Sequence, residues 1–429
     1  MPVQSPNLPT TEEHPPPTDE EQGKARPVLL AAFPRQVAVA LPAPGQAAGR
    51  VWLETHGICD PKISGEHLRF TRAGGVLYVE DLGSRNGTFI DGYKLTARER
   101  VPLDDGAVLR IGGSLLLYRE AFEGSPAPEP PLGRLVGPWG LTEIRAGLKR
   151  LAPHPNLNVL IEGETGTGKE LLAEEIARVL GRGGNRFIPV NVAAIAPNLF
   201  EGHLFGWEKG AFTGSVSRSP GLFRDHAGGT VFLDEIEALP KELQPKLLRF
   251  LQQREVFPMG ATSPSRVDLL IIAATNRPMK DMLQQDAFRR DLAARFQVHF
   301  KLPLLEERAE DIYAIFEAVW QSIRIGINIR QIRVDVEAID LLMRYDWPAN
   351  VRELERLVMA VDPSVGLKLS FVQQVLGVGQ EVTGRGPPLT REHVDAALTA
   401  AGGVKSKAAK ILKISRPQLL RWLKKHERR

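Results

Sequence analysis

The sequence predicts a multidomain chain with three kinds of folded unit in series: an all-β sandwich, an α/β domain on a parallel sheet, and a small all-α unit. Three observations predict it. Short alternating apolar segments, separated by glycine turns, fill residues 27–120. A strand, a glycine-rich loop and a helix follow one another over residues 158–177. Short basic helices about a tight turn occupy residues 389–429. The length, 429 residues, exceeds the ~100–200 typical of one domain.

Residues 1–26 are rich in Pro, Glu and Thr and nearly free of aliphatic side chains. Such a stretch cannot bury a core and is expected to be a disordered tail. It shows no basic-plus-apolar leader, and no apolar run approaches the ~20 residues a membrane span needs. A cytoplasmic protein without membrane contact is the expectation. The single cysteine, Cys59, excludes an intramolecular disulfide and a cysteine metal cluster; a half-buried thiol is expected.

The strands of the front segment read as Val28-Leu-Leu-Ala31, Val37-Ala-Val-Ala-Leu41, Val76-Leu-Tyr-Val79, Gly87-Thr-Phe-Ile90, Ala107-Val-Leu-Arg-Ile111 and Ser114-Leu-Leu-Leu-Tyr118. Turns such as Ala73-Gly-Gly75 and Asp104-Asp-Gly106 separate them. This is the texture of a β-sandwich. Glu123-Gly-Ser-Pro-Ala-Pro-Glu-Pro-Pro131 then forms a stiff linker within 121–133.

Next comes Gly163-Glu164-Thr165-Gly166-Thr167-Gly168-Lys169-Glu170, between the apolar run Asn158-Val-Leu-Ile161 and the helix-forming run Leu171-Leu-Ala-Glu-Glu-Ile-Ala177. In that context glycines let backbone N–H groups point at phosphates, and the helix N-terminus adds its positive end. Lys169 would reach the β- and γ-phosphates. ATP is the expected ligand. Glu170 stands where the strict pattern has Ser or Thr to hold Mg²⁺.

Thr230-Val-Phe-Leu233 reads as a buried parallel strand and ends in Asp234-Glu235. Acids at that end of a strand lie where α/β sheets place ligands. Asp234 would organise Mg²⁺, and Glu235 would orient or deprotonate the attacking water. Taken alone, an Asp-Glu pair more commonly caps a helix. A third strand, Asp268-Leu-Leu-Ile-Ile-Ala-Ala274, ends in Thr275-Asn276. The Asn276 amide could sense the γ-phosphate, although an Asn after a strand is by itself more commonly a turn residue.

On these motifs the stretch from about Leu135 to Gln374 resembles the AAA+ domain of bacterial enhancer-binding proteins, the activators of sigma-54 RNA polymerase. The most specific signal is Leu204-Phe-Gly-Trp-Glu-Lys-Gly-Ala-Phe-Thr-Gly-Ser215. It resembles the family's GAFTGA loop and implies sigma-54 contact by Gly210, Ala211, Phe212, Thr213, Gly214 and Ser215, with Ser215 in place of Ala. In the same way Glu170 is usual for the family, Asn191 matches the residue that restrains the catalytic glutamate, and Arg289 and Arg295 match arginine fingers that act on a neighbour's ATP. Arg352, in Trp347-Pro-Ala-Asn-Val-Arg-Glu-Leu354, matches the phosphate-facing residue of a helical lid. The resemblance implies an ATPase subdomain at 134–305, a lid at 306–376, a linker at 377–388, and a homo-oligomeric ring, a hexamer.

In the front segment Gly49-Arg50, Ser64-Gly-Glu-His67 and Asp81-Leu-Gly-Ser-Arg-Asn-Gly-Thr88 are similar to forkhead-associated (FHA) domains. This implies phosphothreonine binding by Arg50, Ser64, Arg85 and Asn86, and a threonine-phosphorylated protein as partner; His67 is expected to be structural. Gly65-Glu66 replaces the usual basic residue after the serine.

Residues 389–429 hold 11 Lys and Arg against three Asp and Glu, while the whole chain carries only +4. A basic terminal segment fits a polyanion. Helices over 390–401, 406–412 and 416–426, with Ser415 as N-cap and Pro417 in the first turn, read as a helix-turn-helix. The unit resembles the Fis-type domain of these activators. By position Arg416, Gln418, Leu419 and Arg421 would approach base edges of enhancer DNA, and Lys424 and Lys425 its phosphates. The reading is a sigma-54-dependent activator whose ATPase ring opens the promoter complex. The alternative is an FHA/DNA-binding regulator whose ATPase governs assembly without touching sigma-54.

Overall fold

A computed structural model describes residues 25–43, 45–212, 215–378 and 391–402, with 408, 409, 411, 412, 419, 422 and 423 beyond them. The expected tail at 1–26 and the expected linker at 377–388 lie almost wholly outside the described residues, as do Thr213 and Gly214.

The front unit carries ten strands. They are β1 (Arg26–Phe33), β2 (Val37–Ala40), β3 (Ala47–Ala48), β4 (Leu68–Ala73), β5 (Val76–Asp81), β6 (Thr88–Ile90), β7 (Tyr93–Lys94), β8 (Arg100–Pro102), β9 (Val108–Ile111) and β10 (Ser114–Phe122). One short helix, α1 (Arg50–Thr55), interrupts them. The strands form a six-stranded sheet in the order β2-β1-β10-β9-β6-β7 and a four-stranded sheet β3-β4-β5-β8. Alternation decides what each face does. In β10, Leu116 and Tyr118 enter the core between the sheets, whereas Leu115 and Leu117 face away from it and are equally buried. A sandwich strand buried on both faces must be covered from outside.

The cover is the lid. After α2 (Thr142–Leu151) comes a parallel sheet of β11 (Val159–Glu162), β12 (Phe187–Asn191), β13 (Thr230–Asp234), β16 (Leu270–Thr275) and β17 (Val298–Lys301), with the ribbon β14 (Glu255–Val256) and β15 (Ser265–Arg266) set aside. The order is β12-β13-β16-β11-β17, every pair parallel. Helices α3 (Lys169–Val179), α4 (Pro197–Phe205), α5 (Leu222–Asp225), α6 (Gln244–Gln253), α7 (Met279–Gln284) and α8 (Arg290–Ala293) complete this layer structure. The strands are apolar throughout because both faces are covered. Val231 and Leu233 enter one core with Phe200 and Phe250, while Phe232 enters the other with Leu172 and Ile176. A 3-10 segment, Leu305–Asp311, then leads into four lid helices, α9 (Ile312–Ile323), α10 (Val336–Arg344), α11 (Val351–Ala360) and α12 (Leu369–Leu376).

Ala32, Val108, Leu115 and Leu117 of the sandwich share one buried cluster with Phe316, Trp320, Ile339 and Leu342 of the lid. Phe33 packs edge-on against Tyr313, centroids 4.8 Å apart. Charged pairs rim this contact. Arg110 meets Glu337 (3.1 Å) and Asp340 (3.3 Å), and Arg119 meets Glu310 (2.6 Å) and the Glu307 carbonyl (3.1 Å). Gly92, at φ +85°, sits so close to the Arg344 guanidinium that a Cβ would come within 2.7 Å.

The stiff linker expected at 121–133 is instead bound along its path. β10 runs on to Phe122. The Ala38 N–H donates to the Pro126 carbonyl, and Arg145 donates to the Pro130 carbonyl at 2.6 Å. Proline removes backbone donors but leaves carbonyls free to accept. Cys59 is exposed, not half-buried, because Ile58 before it takes the inward position.

At the C-terminal end α13 (Arg391–Ala400) packs Val394 and Ala397 against Ala401, Ala408, Ala409 and Leu419. Among the described residues no helix is long and apolar enough to cross a membrane.

Candidate functional site

The glycine loop joins β11 to α3. Gly166 (φ +81°) and Gly168 (φ +102°) take backbone conformations that favour glycine. A Cβ on Gly166 would overlap the Ala349 carbonyl of the lid. Lys169, the first residue of α3, is 8 % exposed. Its ammonium donates to the carbonyls of Gly163 (2.9 Å) and Glu164 (3.1 Å) and to Asn276 Oδ1 (2.6 Å). Burial lowers its pKa, and the charges of Asp234 and Glu237 oppose that shift. Thr165 also donates to Asn276 Oδ1, at 3.3 Å. Thr167 is fully buried and spends its hydroxyl on the Glu164 carbonyl (2.8 Å). Glu170 points to solvent.

Asp234 ends β13, and its Oδ1 accepts the Glu235 N–H at 3.0 Å. Glu235 is held at φ 55°, ψ 46°. A left-handed non-glycine residue costs of order 1 kcal/mol, and such strain clusters at functional sites. Both carboxylates are partly exposed beside the lysine loop. Among the described residues no three His, Cys, Asp or Glu are preassembled as a metal cage. Asp234, a partly exposed carboxylate at a strand end, is of the kind that holds Mg²⁺, which takes one or two carboxylates together with substrate phosphates.

The lid closes over this loop. Val351 N donates to the Gly166 carbonyl (3.0 Å), Asn350 Nδ2 to the Thr165 carbonyl (3.1 Å), and the buried Arg308 to the Thr167 carbonyl (3.4 Å). Arg352, two residues past Asn350, is exposed, and its charge acts on Lys169.

Other expected residues lie apart from this cluster. Asn191 pairs in register with Asp234, but its amide oxygen caps the 3-10 turn that follows β12, accepting from Ala193 N (2.9 Å) and Ala194 N (3.2 Å). That oxygen is therefore not on Glu235; only the Nδ2 side of the amide is left to reach the acid. Arg289 and Arg295 are exposed, and among the described residues neither bonds to Lys169, Asp234 or Glu235 of its own chain. Arg289 instead forms a two-pronged pair with Asp291.

The loop between α4 and α5 is stapled at its base. Trp207 bridges to Ser219 and to Met259. Gly210 N donates to the Ser215 carbonyl (3.0 Å). Ser215 is buried, and its hydroxyl both accepts from Phe212 N (3.1 Å) and donates to the Phe212 carbonyl (2.7 Å). Phe212 is 46 % exposed and leans edge-on against Trp207. Ala211 lies against Gly260.

In the sandwich, Arg50 begins α1, and its N–H donates to the Ser64 carbonyl (2.9 Å). Gly49 must be glycine, since a Cβ there would overlap the Gly65 carbonyl. Ser64 Oγ accepts from Arg85 N (3.1 Å), and Asn86 Nδ2 donates to the Lys62 carbonyl (2.6 Å). The four expected residues thus share one loop cluster. His67 lies beneath it, fully buried: Nδ1 accepts from Ser64 N (3.1 Å), which leaves Nε2 as the donor toward the Gly87 carbonyl (3.4 Å). Burial lowers its pKa. Two lysines escaped the sequence reading: Lys62, and Lys94, whose side chain lies against Gly87. Neither is adjacent to a motif; both arrive through loop packing.

Of the expected DNA-facing residues, Arg416, Gln418, Arg421, Lys424 and Lys425 lie outside the described residues. Leu419 is corrected: it is fully buried in the small helical core. An apolar residue in a short helix faces its neighbours before it faces solvent.

The central unit is thus an α/β ATPase fold of the AAA+ kind, with a phosphate loop, a strand-end acid pair and a helical lid. Residues 140–301 match the sigma-54 interaction domain and 306–361 the AAA+ ATPase lid domain. The FHA domain matches residues 49–112, and the Fis family of bacterial regulatory proteins matches 389–426. The chain is 44% identical over 231 residues to the DNA-binding transcriptional regulator NtrC of Rhizobium meliloti, covering 53% of this chain and 46% of that protein. It is 42% identical over 204 residues to the nitric oxide reductase transcription regulator NorR1 of Cupriavidus necator, covering 47% and 40%. It spans about half the length of these curated relatives or less. The solved structure of NtrX from Brucella abortus in complex with ATP is similar, with 29% identity, 68% of this chain and 69% of that chain covered, and a TM-score of 0.50.

Proposed function

We propose that this chain is an ATP-hydrolysing activator that remodels sigma-54 RNA polymerase at promoters. The observation that carries the reading is the convergence of Lys169, Asn276, Asp234 and Glu235 beneath a lid bonded to the loop. Lys169 binds the β- and γ-phosphates, and loop N–H groups with the start of α3 add positive potential. Asp234 holds Mg²⁺, which when bound offsets phosphate charge. Glu235 orients the attacking water, Asn276 contacts the γ-phosphate, and Arg352 reaches it from the lid. Asn191 couples Glu235 to the loop that follows.

Arg289 and Arg295 are exposed and act on the nucleotide of a neighbouring copy, so the working form is a homo-oligomeric ring, a hexamer. The tip Gly210 to Ser215, with Phe212 exposed, pushes on sigma-54. Arg50, Ser64, Arg85 and Asn86 bind a phosphothreonine segment through charge-assisted bonds, and Lys62 and Lys94 add positive charge where Gly65 supplies none. The C-terminal helices hold enhancer DNA through Arg416, Gln418, Arg421, Lys424 and Lys425. The protein works in the cytoplasm.

The test is ATP-dependent open-complex formation with sigma-54 holoenzyme on the natural promoter, comparing the wild-type chain with Thr213→Ala. Open complexes formed by the wild type, and lost in the variant while its ATP hydrolysis persists, support the reading. A wild-type chain that hydrolyses ATP without any sigma-54 dependence overturns it in favour of an assembly switch.

A further inference from the structure

Glu237 lies two residues past the acid pair, in the 3-10 turn Ile236–Ala238. Its Oε1 accepts the backbone N–H of Asn276 at 3.1 Å. The Asn276 side-chain oxygen in turn takes the Lys169 ammonium at 2.6 Å and the Thr165 hydroxyl at 3.3 Å. One carboxylate and one amide therefore link the turn after β13, the end of β16 and the phosphate loop.

The other oxygen of Glu237 is buried and has no hydrogen-bond partner among the described residues. A buried carboxylate oxygen without a donor costs folding free energy. Such an orphan in a native structure needs a reason. The reason is local, because Glu237 stands close enough to Lys169 for its charge to act on the ammonium more strongly than that of Glu235.

A residue too short to reach the Asn276 N–H would spare the chain this cost. It would also leave the Asn276 N–H without its acceptor and its side chain less firmly aimed. We propose that Glu237 is a positioning residue of the ATPase: by holding the Asn276 backbone it aims the Asn276 amide at the terminal phosphate. The preference for a triphosphate over a diphosphate then passes through Glu237, although Glu237 touches neither. The inference rests on reading this site as an ATPase.

The experiment uses the full chain, with Glu237→Ala and Glu237→Gln beside the wild type. Affinities for a non-hydrolysable ATP analogue and for ADP are measured by calorimetry, together with kcat, KM and thermal unfolding. Removing one charged hydrogen bond is worth about tenfold. Glu237→Ala is expected to lower both kcat and the ATP-to-ADP affinity ratio by about tenfold, with an unchanged or raised Tm. Glu237→Gln keeps an oxygen for the Asn276 N–H and is expected to stay within about twofold of the wild-type ratio. An unchanged ratio in Glu237→Ala overturns the proposal. So does an equal loss of ATP and ADP affinity with a lowered Tm, which marks a merely structural role, and so does a Gln variant as defective as Ala. A wild-type chain that binds neither nucleotide overturns the ATPase reading itself, a result distinct from these.

Discussion

Asn350 Nδ2 donates to the Thr165 carbonyl at 3.1 Å, tying the lid to the apex of the phosphate loop. The same amide accepts the Leu305 N–H at 2.9 Å, so one side chain spans lid, loop and the entry to the lid. It is 2 % exposed and held at φ 50°. Asn350→Ala leaves a buried N–H without an acceptor, at a cost of roughly 1–3 kcal/mol. The expected outcome is a lowered denaturation midpoint together with a several-fold weaker nucleotide affinity. Intact affinity in a destabilised variant would mean that the lid bond has no part in binding.

Variants at Lys169 and Glu235 are expected to separate binding from turnover. Lys169→Ala is expected to abolish nucleotide binding, because it removes the ammonium that three bonds hold within the loop. Glu235→Gln should bind ATP like the wild type and hydrolyse it on the order of 100-fold more slowly. Equilibrium binding and steady-state hydrolysis on the same preparations decide it; equal loss of binding in both would contradict the assigned roles.

Arg119 of the sandwich and Glu310 of the lid form a largely buried pair, 23 % and 5 % exposed. Arg119→Ala strands the Glu310 charge and is expected to cost roughly 3 kcal/mol in urea unfolding. Adding Glu310→Gln should recover part of that loss, since the stranded charge is gone. A double variant no better than the single would show that Arg119 stabilises by packing alone.

His67 is neutral in the folded chain because burial holds its pKa below the usual 6.5. Asp81 and Asp60 pull the other way without reversing the shift. Below pH 6.5 the unfolded chain takes up a proton that the folded one refuses. Stability therefore falls as the pH drops, by at most about 1.4 kcal/mol per pH unit from this group. Denaturant midpoints between pH 7.5 and about 5 should show this slope in the wild type and a shallower one in His67→Asn, which keeps an acceptor for Ser64 N.

The sequence exposed whatever is local. Gly163 to Glu170, the acid pair and the apolar strands around them carry their meaning within a few residues, and period-two burial follows from covered faces. What stayed hidden was set by distant packing. Asn350 reaches Thr165 across 185 positions and Arg110 reaches Glu337 across 227, and neither partner can be read from the residues around them, even within the Trp347–Leu354 motif. Glu237 was passed over because an acid two places beyond an acid pair looks like helix capping until Asn276 is brought to it. Leu419 was misplaced because the facing of a residue in a short helix is decided by its neighbours, here Val394 and Ala397.

The shared apolar seam has a practical consequence. Cutting the chain after the sandwich would uncover the apolar lid surface that Ala32, Val108, Leu115 and Leu117 cover and that Phe33 meets at Tyr313, a sticky surface that invites clumping. The front module is thus part of the engine block rather than a trailer on a rope. A partner bound at its loops, as proposed, would sit on a module already packed against the lid.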